Sequence, residues 1–352
     1  MSITNLKELF HLDRLQSEVL ETTLVAVFFL VTFGAFCLLV KATVWSATKS
    51  YQRLTKGPRA MNAATKVATI PGKSSKPVAP IETVAAAKPS PHVRSYALVQ
   101  RLGSGDVCEV FRGRKNDDEY VVKMPRALIG TGLLAKESVV LEQLLDTARE
   151  DSYRNYFPLP TDSFEVDRRR VNVFAWRDGF YTAEQIRKHY PNGLDGRHIA
   201  WMFKRTLEAL GFAHNNNWIH GAVLPPHLLF HAENHGLQLI DWIHAERPSR
   251  ALSLVPAKFT QWYPPECVAK QPVTPSIDIF LAARSMIWLA GGDPVSSEIP
   301  DHLPEKMRLF LSGCLLESPT MRCHDAWQLH EEFTELLEGV YGAPAYHRLE
   351  MS

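Results

Sequence analysis

The sequence lacks a charge excess, closely spaced cysteines and internal repeats. Its 352 residues hold 39 Lys and Arg against 38 Asp and Glu, a net charge of +1, which argues against a nucleic-acid partner bound by bulk positive charge. The five cysteines form no Cys-x-x-Cys pair and their number is odd, which excludes a disulfide framework or a cysteine zinc motif. A hydrophobic fraction of 45 % is enough to build a core, so the sequence predicts a folded protein.

One apolar run is long enough to cross a membrane. Thr22 to Val40 contain no charged residue and no polar stripe, and as a helix they would span roughly 28 Å, close to the thickness of a bilayer core. The run begins late, follows acidic residues and has no small-x-small cleavage site, which argues against a cleavable signal peptide. The sequence therefore predicts a single transmembrane helix over residues 22–44.

The charges that flank this run predict its orientation. Residues 1–21 carry two basic and four acidic side chains, whereas six Lys and Arg follow between Lys41 and Lys66 with no acid before Glu82. By the positive-inside rule the short N-terminal segment is extracytoplasmic and the rest is cytoplasmic. The basic stretch could also lie on anionic lipid headgroups. The predicted partners are therefore the lipid bilayer and a cytoplasmic protein, with no nucleic acid.

The composition changes twice after the apolar run. Residues 45–93 are basic and then rich in Pro, Ala and Lys, which is typical of a flexible linker. From about residue 94 to residue 345, short β-type runs precede longer amphipathic helices. A hairpin is predicted to turn at the charged run 167–170, and a helix with one apolar face is predicted over residues 197–214. This order predicts an α+β domain with a small β-rich half, about 94–177, and a larger helical half, about 178–345.

Seven short motifs follow one another in this domain. They are Gly103 and Gly105 of a glycine-rich turn with Val110 after it, Lys123 of Tyr-Val-Val-Lys, Glu137 on a predicted helix, a His-Gly-Ala-Val-Leu-Pro-Pro-His stretch that begins at His220, Asp241 of Leu-Ile-Asp-Trp-Ile, Pro265-Glu266 with Asp278 after it, and Arg322. Each motif alone is common, but together they have the order and spacing seen in protein kinases. Residues 95–340 therefore resemble the two-lobed protein kinase fold.

The resemblance implies an ATP site between the two lobes, with Mg²⁺ or Mn²⁺ as the metal. The residues it assigns to nucleotide or metal are Gly103, Gly105, Val110, Lys123, Glu137 and Asp241. Glu142 is an alternative partner for Lys123. Lys123 and Asp241 could also persist as a structural ion pair without a nucleotide.

Further family residues are implied to be structural. Glu266 and Arg322 would form a buried ion pair. Asp278 would accept hydrogen bonds from backbone amides of the catalytic loop.

The sequence departs from the family pattern mainly in the catalytic loop. The aspartate that accepts the substrate proton is replaced by Ala222, and general-base catalysis is worth about 10²–10⁴ in rate. The other departures are Gly221 for arginine, Leu224 for lysine, His227 for asparagine, Ile243 for the last glycine of Asp-Phe-Gly, and Cys108 for the third loop glycine. These losses affect phosphoryl transfer more than folding.

The histidines of this region receive different predictions. His220 is expected to be a packing residue, and His227 is expected to face the metal site as a ligand softer than Mg²⁺ prefers. His231, His235 and His244 share no helical face or metal-binding spacing, so they are predicted to be surface groups.

Three functions remain open on the sequence. The first is a membrane-anchored pseudokinase that binds ATP weakly and acts as a scaffold or allosteric partner. The second is a divergent active serine/threonine kinase that uses Asp241 and a non-standard base. The third is a membrane adaptor whose kinase-like domain binds no nucleotide, which predicts a filled cleft between Val110, Lys123 and Asp241.

Overall fold

The computed structural model describes residues 92–148 and 152–351. The predicted transmembrane helix over 22–44 and almost all of the predicted linker lie outside these residues, so both stay predictions. Within the described ranges, no helix combines the length and the apolar character needed to cross a membrane.

The small lobe is an antiparallel six-stranded sheet with one helix packed beside it. Its strands are β1 (His92–Val93), β2 (Tyr96–Ser104), β3 (Cys108–Lys115), β4 (Asp118–Pro125), β5 (Pro160–Val166) and β6 (Arg169–Ala175), in the order β1-β2-β3-β4-β6-β5. The β5–β6 turn lies within the predicted charged run, and its Asp167 and Arg168 both have positive φ, as a tight hairpin requires. The long helix α1 (Gly130–Thr147) is joined to β6 through Asn172, whose amide donates to the Leu134 carbonyl at 2.9 Å.

The large lobe is mainly helical. Its helices are α2 (Ala183–His189), α3 (Gly196–Asn215), α4 (Pro265–Val268), α5 (Ser276–Leu289), α6 (Glu305–Gly313) and α7 (Ala326–Tyr341). The Asp195 side chain caps α3 by accepting from the Arg197 and His198 amides. The predicted apolar face of α3 is buried in the main core, with Ile199, Met202, Phe203, Thr206, Leu207 and Leu210 all inaccessible.

A three-stranded sheet supports the loops that form the site. It contains β7 (Phe180–Thr182), β8 (Leu228–His231) and β9 (Leu237–Leu239) in that order. A 3-10 turn over Pro225–His227 precedes β8, and another over Trp242–His244 follows β9. Since β8 and β9 pair directly, the loops at this end of the sheet are brought together.

The C-terminal tail folds back onto the large lobe. The helix α7 is followed by Gly342, which has a φ of +74°. Beyond it, Leu349 is buried, and its amide donates to the Ala232 carbonyl. The Tyr190 hydroxyl donates to the Glu350 carbonyl at 2.7 Å.

Candidate functional site

Three charged residues from separate elements meet between the lobes. Lys123 on β4 places its Nζ 2.6 Å from Glu137 Oε1 on α1, and the same Nζ donates to Asp241 Oδ1 just after β9. The second oxygen of Glu137 accepts from the Asn172 amide at 3.1 Å. Glu142, the alternative partner, is exposed on the helix surface. The described structure therefore joins Lys123 to Glu137 and Asp241.

Burial and charge act in opposite directions on this cluster. Lys123 is 4 % exposed, and its burial favours the neutral amine, yet the carboxylates of Asp241 and Glu137 hold the pKa of Lys123 above its ordinary value. Burial alone would raise the pKa of Asp241, but the positive charge of Lys123 outweighs it and holds this pKa well below its usual value. Asp241 is therefore ionised over the whole physiological range.

Two histidines share the second oxygen of Asp241. Its Oδ2 lies 3.0 Å from His227 Nε2 and 3.3 Å from His244 Nε2. The backbone of Asp241 is left-handed, with φ +71° and ψ +50°, and the 3-10 turn that follows brings His244 back toward the Asp241 carboxylate. His227 therefore lies in contact with Asp241, the residue that the kinase resemblance assigns to the metal.

The prediction of a surface position was wrong for His244, which is only 4 % exposed. The sequence contains the three-residue spacing from Asp241 to His244, but it does not predict a three-residue 3-10 turn. His231 and His235 are partly exposed; His231 packs edge-on against Phe180, and His235 stacks on Trp201.

The catalytic-loop position is occupied by a buried alanine. The Ala222 side chain has no exposed surface, and its carbonyl accepts from the Leu224 amide and, at 2.8 Å, from His227 Nδ1. His220 is buried and packs edge-on against Trp242, as predicted, with its Nε2 2.9 Å from the Ile240 carbonyl. Burial lowers the pKa of His220 to about 3, although the carboxylate of Asp278 opposes the shift.

Asp278 fixes the backbone of this loop. Its carboxylate is fully buried and accepts from the amides of His220 at 2.7 Å and of Gly221 at 2.8 Å, as predicted. Gly221 has a φ of +75°, and a Cβ there would lie 2.9 Å from the His244 carbonyl oxygen. This position therefore requires glycine, and its backbone cannot accept the family's arginine without strain.

The predicted ion pair between Glu266 and Arg322 is also formed. Arg322 Nη2 donates to Glu266 Oε1, and the two side chains are almost completely buried. The pair joins the start of α4 to the loop before α7.

Known proteins with a similar sequence are protein kinases. The serine/threonine-protein kinase sid1 of Schizosaccharomyces pombe is 23 % identical over 255 residues, which cover 66 % of this chain and 52 % of sid1. A probable casein kinase II subunit alpha homolog of Encephalitozoon cuniculi is 24 % identical over 154 residues, 44 % of each chain. PknF of Mycobacterium tuberculosis, a serine/threonine-protein kinase, is 25 % identical over 149 residues, 38 % of this chain and 28 % of PknF. The chain thus spans about half or less of the curated relatives it matches, and no protein-family model matches it.

A solved structure has the same architecture. The crystal structure of the PF14_0431 kinase domain aligns with a TM-score of 0.55 and 15 % identity, over 68 % of this chain and 95 % of that one. The described domain has a protein kinase-like fold. At this identity the likeness concerns the fold and carries nothing about activity.

In the kinase-like domain the tip of the glycine-rich turn packs against the large lobe. Cys108, Leu134 and Ile243 form a buried apolar cluster, and Val107, Leu133 and Leu254 pack around it. We call these six residues the loop cluster. The Asp106 carboxylate beside them accepts from the Ala257 amide at 2.7 Å. The cysteine and isoleucine that replace family glycines are therefore joined in one apolar contact.

The two remaining glycines of the turn are not required by the backbone. A Cβ at Gly103 would meet no atom within 4 Å, and one at Gly105 would meet only the Cys108 carbonyl, at 3.9 Å. Neither residue has a positive φ. Val110 lies on the adjoining strand directly opposite Lys123 and is half-buried.

The residues present do not fit the Mg²⁺ ion that kinase relatives generally use. Mg²⁺ prefers oxygen ligands in a near-octahedral arrangement. Here Asp241 offers a single carboxylate, one oxygen of which is held by Lys123, and the neighbouring ligand atoms are two imidazole nitrogens. Imidazole suits zinc and related ions better.

Proposed function

We propose that this chain is a membrane-anchored pseudokinase whose kinase-like domain serves as a cytoplasmic scaffold or allosteric partner. The observation that carries the proposal is Ala222 at the position of the catalytic base. Its methyl group cannot accept a proton from a substrate hydroxyl, and its carbonyl is engaged by the Leu224 amide and His227 Nδ1. Phosphoryl transfer depends on such positioned groups.

Contacts in the cleft favour a pseudokinase domain that works without a bound nucleotide. The glycine-rich turn would have to cover the phosphates of ATP, but its tip contacts Ile243 and Leu254 through the loop cluster. Lys123 already has two carboxylate partners and almost no exposed surface. ATP binding would therefore require the turn to lift and the Asp106–Ala257 hydrogen bond to break.

The test is a pair of measurements on the purified full chain. We expect no transfer of radiolabelled phosphate from ATP with either Mg²⁺ or Mn²⁺, and no thermal shift with ATP at concentrations that stabilise an active kinase. Phosphate transfer that Asp241→Ala abolishes would overturn the proposal. A thermal shift without phosphate transfer would instead support a pseudokinase that binds ATP. The residues that would bind it are Gly103, Gly105, Val110, Lys123 and Asp241.

A designed variant tests whether the side chains of the loop cluster are what prevents ATP from binding in the cleft. Cys108→Gly together with Ile243→Gly removes the two side chains that replace family glycines. If the loop cluster is what excludes ATP, this double variant should gain a thermal shift with ATP. Leu309→Ala, on an exposed position of α6, is the matched control and should gain none.

Membrane attachment is part of the proposal and has a separate test. We expect the full chain to sediment with membranes and to need detergent for release, because residues 22–44 have the length and composition of a spanning helix. Deleting residues 22–44 should release the protein. Protease added outside intact cells should digest the kinase-like domain only after the membrane is permeabilised. Digestion of this domain in intact cells would contradict the predicted orientation.

One observation favours the second candidate function, a divergent active kinase. The Lys123–Glu137 contact at 2.6 Å is the pairing on which active kinases depend, and Asp241 lies beside it. Such an enzyme would need a base supplied by the substrate or by a water molecule. The radiolabel assay decides between the candidates, with Lys123→Met as the variant that should remove any true activity.

A further inference from the structure

Three potential metal ligands converge on one point beside the cleft. They are His227 Nε2, Asp241 Oδ2 and His244 Nε2, and all lie within 4.8 Å of one another. Asp241 Oδ2 lies 3.0 Å from His227 Nε2 and 3.3 Å from His244 Nε2. Both distances are close to the separation of about 3.3 Å expected between two ligand atoms of a tetrahedral ion with bonds of about 2.0–2.1 Å. We call these residues the His-Asp-His triad.

The hydrogen bonds of His227 direct a lone pair at Asp241. Its Nδ1 lies 2.8 Å from the Ala222 carbonyl oxygen, which can only accept, so the proton of the imidazole is on Nδ1. In the neutral ring Nε2 is then an acceptor, yet it faces a carboxylate oxygen at 3.0 Å. Two acceptors at that distance repel each other unless a cation lies between them or the ring takes a second proton.

The same hydrogen bond is typical of a metal-binding histidine. Such histidines usually donate their other ring nitrogen to a carbonyl or a carboxylate, which fixes the tautomer and the ring orientation. His227 does so through Ala222. His244 has its Nδ1 3.5 Å from the Leu254 carbonyl oxygen, a longer contact to the same kind of group.

The charged side chains in and beside the triad carry a net negative charge, which a bound cation would neutralise. Glu137 and Asp241 carry two negative charges, Lys123 carries one positive charge, and the three side chains are in contact. Asp241 and His227 keep 19 % and 12 % of their side-chain surface exposed, so an ion has access from solvent.

We infer that the His-Asp-His triad binds a divalent transition-metal ion of the zinc class, with three protein ligands and an open fourth position. The donor set of two imidazoles and one carboxylate is one that zinc accepts and Mg²⁺ does not favour. The ion would join the catalytic loop at His227 to the segment after β9 at His244. The ion would bind there whether or not the domain transfers phosphate.

The test measures metal binding by the full chain in detergent, after removal of bound metal with a chelator. Calorimetric titration with Zn²⁺ should show one ion per chain, whereas Mg²⁺ at the same concentrations should give no binding. Substitution with Co²⁺ should give the intense visible absorption of a four-coordinate site rather than the weak absorption of a six-coordinate one.

Variants assign the ion to the triad. His227→Asn replaces the imidazole with an amide, and His244→Gln does the same at the third ligand. Each should weaken Zn²⁺ binding at least about 10-fold, since even loss of an outer partner of a metal ligand costs 10–100-fold. His189→Asn, which removes an exposed imidazole on α2, is the control and should bind Zn²⁺ as the wild type does.

The outcomes separate the inference from its competitors. Metal-free unfolding curves of the variants are compared with that of the wild type, so that loss of folding is not counted as loss of a ligand. Absence of stoichiometric Zn²⁺ binding would overturn the inference. Equal Zn²⁺ affinity in His227→Asn, His244→Gln and the control would also overturn it.

Discussion

Single residues of the loop at 220–227 shape the site through their backbone. Ala222 contributes its carbonyl oxygen, which orients His227, and its methyl group is buried in the main core. Gly221 allows the loop to lie against the His244 carbonyl, a contact that any Cβ would disturb. The backbone of this loop therefore fits Gly221 and Ala222, which stand where the kinase pattern has an arginine and an aspartate.

Gly221→Ala should lower the free energy of unfolding by about 1–3 kcal/mol, because it forces a side chain into a left-handed backbone and against the His244 carbonyl. Gly132→Ala is the matched control: Gly132 lies exposed in α1, and a Cβ there would meet nothing. In a helix that change should be neutral or stabilising. Chemical denaturation of both variants measures the difference, and equal stabilities would contradict the role of Gly221.

The buried His220 should make the domain sensitive to acid. Burial holds the pKa of His220 down to about 3 in the folded domain, whereas an unfolded chain has a value near 6.5. Between these pH values the unfolded state binds a proton that the folded state does not. The stabilisation is thus complete above about pH 6.5 and is lost as the pH falls toward 3, at up to about 1.4 kcal/mol per pH unit for this one proton.

Unfolding curves between pH 7.5 and pH 4.5 measure this slope. His220→Gln should reduce the slope even where it lowers stability overall, because the variant has no imidazole to protonate. The exposed His189→Gln serves as the control. An unchanged slope in His220→Gln would show that other groups cause the acid sensitivity.

At the scale of elements, the ion pair between Glu266 and Arg322 holds α4 to the loop before α7. Glu266→Ala leaves a buried guanidinium without its carboxylate and should cost about 3–5 kcal/mol of unfolding free energy. Glu184→Ala removes an exposed pair with Lys258 and should cost at most about 1 kcal/mol. Thermal unfolding of the two variants compares them, and similar costs would argue against the importance of the buried pair.

Much of the fold was predictable because its signals are local. The apolar periodicity of α3 and the charged turn between β5 and β6 both correspond to elements of the structure. The order of the motifs was enough to predict that Lys123, Glu137 and Asp241 come together. These predictions depend on spacing along the chain, which a sequence shows directly.

The rest of the site depends on contacts that spacing does not reveal. His244 was predicted at the surface because nothing local indicates the 3-10 turn that buries it. The loop cluster joins Cys108 to Ile243, and Asp106 binds an amide 151 residues later. Such pairs form only after the two lobes have packed, so no local pattern predicts them.

At the scale of the whole molecule, the near-zero net charge combines two unlike parts. Residues 1–93 hold 11 basic and 5 acidic side chains, a net +6, and the remaining 28 basic and 33 acidic side chains give −5. The first part is the proposed anchor and tether, and the second is the kinase-like domain. The excess of positive charge therefore belongs to the part that we propose lies at the membrane.

The C-terminal tail completes the large lobe and should contribute to its stability. Leu349→Ala should lower the free energy of unfolding by about 2–5 kcal/mol, because Leu349 is 1 % exposed and packs in the main core. Leu309→Ala, at a site 65 % exposed on α6, should change it little. Equal effects would show that the tail does not stabilise the lobe.

The hydrogen bond from the Ala257 amide to Asp106 makes the exchange of this amide a measure of lobe separation. Ala257 is exposed, and an amide in such a position normally exchanges its proton with solvent quickly, yet its partner here belongs to the other lobe. Its deuterium uptake therefore follows the frequency with which the lobes separate. A ligand that keeps the cleft closed would slow the exchange of this amide, and one that enters beneath the glycine-rich turn would speed it.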